Sequence, residues 1–177
     1  MCLKYFGLTE LCGESNTGKT ALCIEESKKY FTMYLCTTNF PILRCPEGNL
    51  LIKLVQSLED IFSSIKLCKE YKVELLVIDN LSSIVDTSHN KISRLVLYLK
   101  KMIYKYKLRV LVVNTTSTLS YKMTYSYKLG LEWEYQVNTR YKMYKEEGVI
   151  RLEIVKCPIE LNYKYTIEIN STTISIN

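Results

Sequence analysis

With 177 residues the chain is long enough for one domain with a substantial buried core and short for two. A composition of 47% hydrophobic and 24% charged residues, with six Gly and three Pro, excludes disordered and fibrous classes, while a formal charge of +6 suits a polyanionic partner without requiring one. No apolar run is long enough to cross a bilayer and Met1 to Tyr5 lack the layout of a signal peptide, so a soluble, intracellular chain with no membrane partner is expected.

Leu8 to Cys12 is strand-like and leads into Gly13-Glu14-Ser15-Asn16-Thr17-Gly18-Lys19-Thr20, which fits GxxxxGK[ST] at every fixed position. The helix-forming run Ala21 to Glu26 follows, so the motif has the strand and helix it needs on either side. Glycines let the backbone amides fold around phosphates, and a helix N-terminus adds its positive dipole. Lys19 reaches the β- and γ-phosphates and the Thr20 hydroxyl ligates magnesium, which makes ATP and magnesium the expected cofactors.

From Leu51 to Cys68, apolar residues at Leu51, Leu54, Val55, Leu58, Ile61, Phe62, Ile65 and Cys68 predict one long helix. Leu75 to Ile78 is a continuous apolar run of the kind buried on both faces of a parallel sheet, and it ends in Asp79. An acidic residue there is placed to hold magnesium with Thr20. His89, the single histidine, has nothing at catalytic spacing and is assigned no chemistry.

A second helical stripe runs from Ile92 to Tyr106, and Val110 to Val113 predicts the next strand. Beyond residue 135 the period changes to two. Val137 to Tyr144, Ile150 to Ile154 and Tyr163 to Ile169 each alternate as strands with one wet face, the first two joined by a turn at Lys145 to Gly148. The seven cysteines, odd in number and without a CxxC pair, are expected to be reduced and mostly buried.

Five segments carry a family likeness: Leu8 to Gly13 entering the P-loop, Met33 to Thr38, Leu75 to Asn80, Val112 to Thr115, and Leu129-Gly130-Leu131-Glu132-Trp133 followed by Thr139-Arg140. In them the chain resembles the RecA-like recombinases, specifically the recombinase paralogs of the RadA and RadB type. The resemblance implies an α/β, RecA-like P-loop NTPase core, with a mainly parallel central sheet, helices on both faces and an antiparallel C-terminal extension. It implies homologous recombination and DNA repair in the nucleus, with single-stranded DNA and another paralog or the main recombinase as partners. Twelve residues precede Gly13, so the reading is a single core domain over 1–177 without the family's N-terminal DNA-binding domain.

The departures from the family pattern bear on turnover. Active members have a water-polarising glutamate where Thr38 stands, other P-loop ATPases a carboxylate where Asn80 stands, and Thr115 replaces a glutamine that senses the γ-phosphate. Slow or negligible hydrolysis is expected. Tyr121, Lys122, Tyr125, Tyr127 and Lys128 occupy the family's DNA-facing loop, where rings would stack on bases and ammonium groups follow phosphates. An ordinary exposed loop in a Tyr- and Lys-rich chain is the alternative. His89, Asn90, Lys91 and Arg94 fall in the region of the family's other DNA loop. Two further functions stay open: a small P-loop kinase, although an arginine-rich lid and an acidic acceptor motif are both missing, and a RecA-fold scaffold that has lost catalysis.

Overall fold

The structure is a computed structural model that describes residues 3–38, 40–41, 48–85, 89–118, 125–127, 129–159, 164–169 and 174–176. The described residues form an α/β fold of four helices and ten strands. In chain order these are β1 (Leu8–Gly13), α1 (Lys19–Ser27), β2 (Thr32–Cys36), β3 (Leu50–Leu54), α2 (Leu58–Glu70), β4 (Leu75–Asp79) and α3 (His89–Tyr106). There follow β5 (Arg109–Thr118), β6 (Tyr125–Tyr127), α4 (Gly130–Gln136), β7 (Thr139–Glu146), β8 (Val149–Lys156), β9 (Lys164–Ile169) and β10 (Ile174–Ile176).

The sheet order is β10-β9-β8-β7-β1-β5-β4-β2-β3, with β6 added to the far end of β5. From β3 across to β7 every pairing is parallel. From β7 outward to β10 every pairing is antiparallel, as the change of hydrophobic period at residue 135 predicts. Glu147 and Gly148 both take positive φ, 51° and 81°, the two-residue turn whose twist suits a hairpin between β7 and β8.

Helices cover both faces. On β4, Leu75 and Val77 point to the α1 side, where Leu22, Cys23 and Ile24 pack, while Leu76 and Ile78 point to α2, α3 and α4. Two covered faces are why β4 reads as an unbroken apolar run rather than an alternating one.

The long helix expected from Leu51 is corrected by the structure. Leu51 and Leu54 belong to β3, which pairs in parallel with β2 from Thr32↔Leu50 to Cys36↔Leu54, and Val55 is buried just beyond it. The helix starts at Leu58 because Ser57 caps it: its hydroxyl accepts from the Asp60 amide at 3.1 Å, and the Asp60 carboxylate accepts from the Ser57 amide at 3.0 Å. The three-and-four spacing upstream of this cap coincides with a strand that alternates only weakly at a sheet edge.

One buried polar cluster interrupts the core. Glu10 on β1 is fully buried, and its carboxylate accepts from Arg140 Nε on β7, Trp133 Nε1 on α4 at 2.7 Å and Asn114 Nδ2 on β5. Arg140 was expected on a wet face by alternation, yet it is 3% exposed because Glu10 lies directly across from it in register. The buried Glu10 carboxylate, satisfied by Arg140 and by two further donors, ties four elements together.

Candidate functional site

Gly13 ends β1 where the chain passes against β7. A Cβ at this position would lie 2.1 Å from the Met143 carbonyl oxygen, so a side chain cannot be accommodated without moving a strand. Asn16 and Gly18 then turn the loop back with φ of 61° and 87°. Gly18 is also the N-cap of α1, brings no side-chain acceptor, and is followed by no acidic residue in the first turn. The first-turn amides of α1 therefore meet no competing anion from the helix itself, which suits a phosphate.

Lys19 is buried, and its ammonium donates to the carbonyls of Gly13 at 2.9 Å and Glu14 at 2.5 Å, two oxygens of its own loop. Thr17 braces the same turn by donating to the Glu14 carbonyl at 2.9 Å. Burial pushes the Lys19 pKa down from its usual value, and Asp79 opposes that shift.

Asp79 stands at the end of β4, which is separated from β1 by β5, yet α1 carries Thr20 across to it. The Thr20 hydroxyl donates to Asp79 Oδ2 at 2.7 Å over 59 residues of sequence. Tyr34 on β2 donates to the same oxygen at 2.6 Å. Its ring is fully buried and stands edge-on to Phe40 with centroids 4.9 Å apart, and burial raises its pKa well above the usual value, so it remains a donor. Tyr34 was not read from sequence as a site residue; its signal was a phenol at an inward strand position two residues from Cys36, the register partner of Asp79.

Around Asn80 the groups are hydroxyls and amides. The Asn80 amide donates to Thr37 Oγ1 at 3.2 Å, its Nδ2 to Thr115 Oγ1 at 2.7 Å, and its Oδ1 accepts from the Ser82 hydroxyl at 2.7 Å. Thr38 is exposed, and the inward-facing neighbour is Thr37, whose amide donates to the Asp79 carbonyl at 2.8 Å. Among the described residues no carboxylate hydrogen-bonds to Thr37, Asn80 or Thr115. The cluster can position a water or a phosphate oxygen but offers no base to deprotonate a nucleophile.

A cavity of about 270 Å³ opens beside the loop, lined by Asn16, Gly18, Lys19, Thr20, Ala21 and Pro41. Among the described residues no group of three or more His, Cys, Asp or Glu side chains could enclose a metal by itself. The hydroxyl of Thr20 and the carboxylate of Asp79 are hard oxygen donors that fit magnesium, an ion held by one or two protein groups with phosphate and water completing its shell.

Comparison with known proteins gives no relative: no protein-family model matches the chain, and no curated protein sequence matches it.

Of the expected nucleic-acid residues, Tyr121, Lys122 and Lys128 lie outside the described residues. Tyr125 and Tyr127 lie on β6, paired with Thr118 and Thr116 of β5, and their side chains are outside the description. His89, Asn90, Lys91 and Arg94 open α3 rather than a loop, and the Arg94 guanidinium sits 5.3 Å over the Phe62 ring of α2. Among the described residues Cys12, Cys23, Cys36 and Cys68 are free and buried and Cys157 is free and half-buried, in keeping with the expectation that the cysteines are mostly buried. Among the described residues no helix is long and apolar enough to cross a membrane.

Proposed function

We propose that the chain is a RecA-like core that binds ATP with magnesium and serves homologous recombination and DNA repair as an accessory subunit in the nucleus. The observation that carries the nucleotide half is the meeting of Lys19, Thr20 and Asp79 at one end of the parallel strands, with a glycine-hinged loop and uncapped helix amides facing the same cavity. The recombination half rests on the resemblance of the five segments, with which the mixed parallel and antiparallel sheet is compatible.

In this reading Lys19 leaves the loop carbonyls and transfers its hydrogen bonds to the β- and γ-phosphates, while the α1 amides bind the β-phosphate. Thr20 and Asp79 would hold magnesium, which would supply neutralisation of the phosphate charge. Tyr34 keeps the Asp79 carboxylate oriented by fixing one of its oxygens. Asn80, Thr37 and Thr115 would lie toward the γ-phosphate, and among the described residues no carboxylate hydrogen-bonds to them, which favours a structural or switching ligand over a fuel.

The test follows single-stranded DNA binding by fluorescence anisotropy with and without magnesium-ATP, alone and with a recombinase added. Binding that tightens with ATP, loses that dependence in Lys19→Ala and proceeds with negligible phosphate release is the expected result. Absence of DNA binding under all four conditions would remove the recombination half. Transfer of the γ-phosphate to small molecules would favour the kinase alternative.

A further inference from the structure

A second pocket lies at the opposite end of the parallel sheet, where β1 and β5 begin. It has a volume of about 510 Å³, in the range of ligand sites, and is formed by residues 3–7, Tyr30 and the turn from the end of α3 into β5. Its charged residues are Lys4, Lys107 and Arg109, and no Asp or Glu is among the described residues that line it. Phe6, Tyr30 and Tyr104 supply aromatic surface, with Tyr104 64% exposed.

The walls are fixed before any ligand arrives. The Lys4 amide donates to Tyr141 Oη at 2.9 Å, Thr139 Oγ1 donates to the Phe6 carbonyl at 3.0 Å, and the Leu8 amide donates to Asn138 Oδ1 at 3.0 Å. The Arg109 guanidinium carbon sits over the Tyr30 ring, 4.4 Å from its centre. Glu74, the carboxylate next to β4, is engaged by the Phe31 amide at 3.0 Å. Among the described residues none of the three cations makes an ion pair. Three cations without carboxylates, around the exposed Tyr104 ring and the half-buried Phe6 and Tyr30 rings on a braced frame, are the complement of a flat aromatic group that carries phosphate.

We propose that this pocket binds a nucleotide unit, free or within a single-stranded nucleic acid, with its base on Tyr104 and Phe6 and its phosphates on Lys4, Lys107 and Arg109. The site is separate from the P-loop and independent of the ATP reading. An acidic peptide would satisfy the cations but would leave the exposed Tyr104 ring without a stacking partner.

The test uses the full chain carrying Lys19→Ala, so that binding at the P-loop does not contribute. A single strand of about ten thymidines with one 5-iododeoxyuridine is photo-crosslinked and the adduct mapped by mass spectrometry, beside an arm with free 5-iododeoxyuridine monophosphate. The expected adduct is on Tyr104 or Phe6. Adduct at equal concentration in both arms assigns a free nucleotide, and adduct favoured in the oligonucleotide arm assigns a strand.

Tyr104→Ala, at an exposed position, is expected to weaken binding about tenfold. Lys4→Glu with Lys107→Asn, whose new asparagine tolerates the positive φ of 56° at that position, is expected to do the same and to make the salt dependence shallower by about one unit of log-log slope. Unchanged thermal melting in these variants separates loss of the site from loss of the fold. Adducts confined to other residues, variant affinities equal to the parent, or competition by poly-glutamate as effective as by oligonucleotide would each overturn the proposal.

Discussion

At the scale of single residues, two sets of groups behave differently. The convergence of Thr20 with Asp79 beside Lys19 is legible in the sequence because it depends on fixed spacing in a loop and on the end of an apolar strand. Glu10 and Tyr34 are not, since each looks like an ordinary strand residue until its partners arrive from elsewhere in the chain. Arg140 shows the limit of alternation most clearly: the pattern assigns it to water, and a carboxylate from a neighbouring strand removes it from water. Glu10→Gln keeps the shape but removes the carboxylate to which Arg140 Nε donates, with the partly exposed Glu134, 3.5 Å away, among the groups that remain. A loss of about 3 kcal/mol is expected in urea unfolding at pH 7. A loss below about 1 kcal/mol would mean that the pair contributes little and that the cluster is held by packing.

At the scale of elements, β1, the turn from Gly13 to Gly18 and α1 form a unit whose junctions are set by glycine or by backbone. Gly13→Ala would drive a methyl group into the Met143 carbonyl on β7. A destabilisation of about 2 kcal/mol or more is expected, together with loss of nucleotide binding, because the displaced loop no longer aims its amides. Nucleotide affinity equal to wild type in this variant would contradict the geometry. The start of α2 makes a smaller and cleaner case. Ser57→Ala removes one half of a reciprocal cap and should cost about 1 kcal/mol without touching ATP affinity, read by the same unfolding midpoint and a nucleotide titration. Most elements were legible: β1, α1, β4, α3, β5, β7, β8 and β9 lie where the sequence pattern puts them. β3 was absorbed into a helix because apolar residues on a half-covered edge strand happened to fall at helical spacing, and β6 and α4 were missed because three and seven residues are too few to show a period.

At the scale of the whole molecule, the placement of four buried thiols and a buried phenol makes stability depend on alkaline pH. Burial pushes the Cys12 and Cys68 thiols up from 9.0 to about 12, and raises Cys23 and Tyr34 as well. Unfolded, the thiols ionise near pH 9; folded, they keep their protons, so between pH 9 and about 12 the folded state binds more protons. Their contribution is fully present below pH 9 and is lost as pH rises toward 12. Lys19 and Lys156, lowered below 10.5 by burial, act in the opposite sense, since they repel the proton in the fold and gain stability as pH rises. The raised groups outnumber them. The urea midpoint should be flat from pH 7 to about 8.5 and fall steadily above pH 9, and a midpoint constant to pH 11 would contradict the burial of the thiols.

The central proposal for the whole molecule is a magnesium-dependent triphosphate site where α1 meets the ends of β1 and β4. Titration of a fluorescent ATP analogue with and without magnesium, on the wild type, Lys19→Ala and Asp79→Asn, tests it most directly. Expected are saturable binding by the wild type, about 10- to 100-fold weaker binding by Lys19→Ala, and loss of the magnesium dependence in Asp79→Asn with the fold intact. Equal affinity in all three proteins, or no binding by the wild type at analogue concentrations up to about 1 mM, would contradict it.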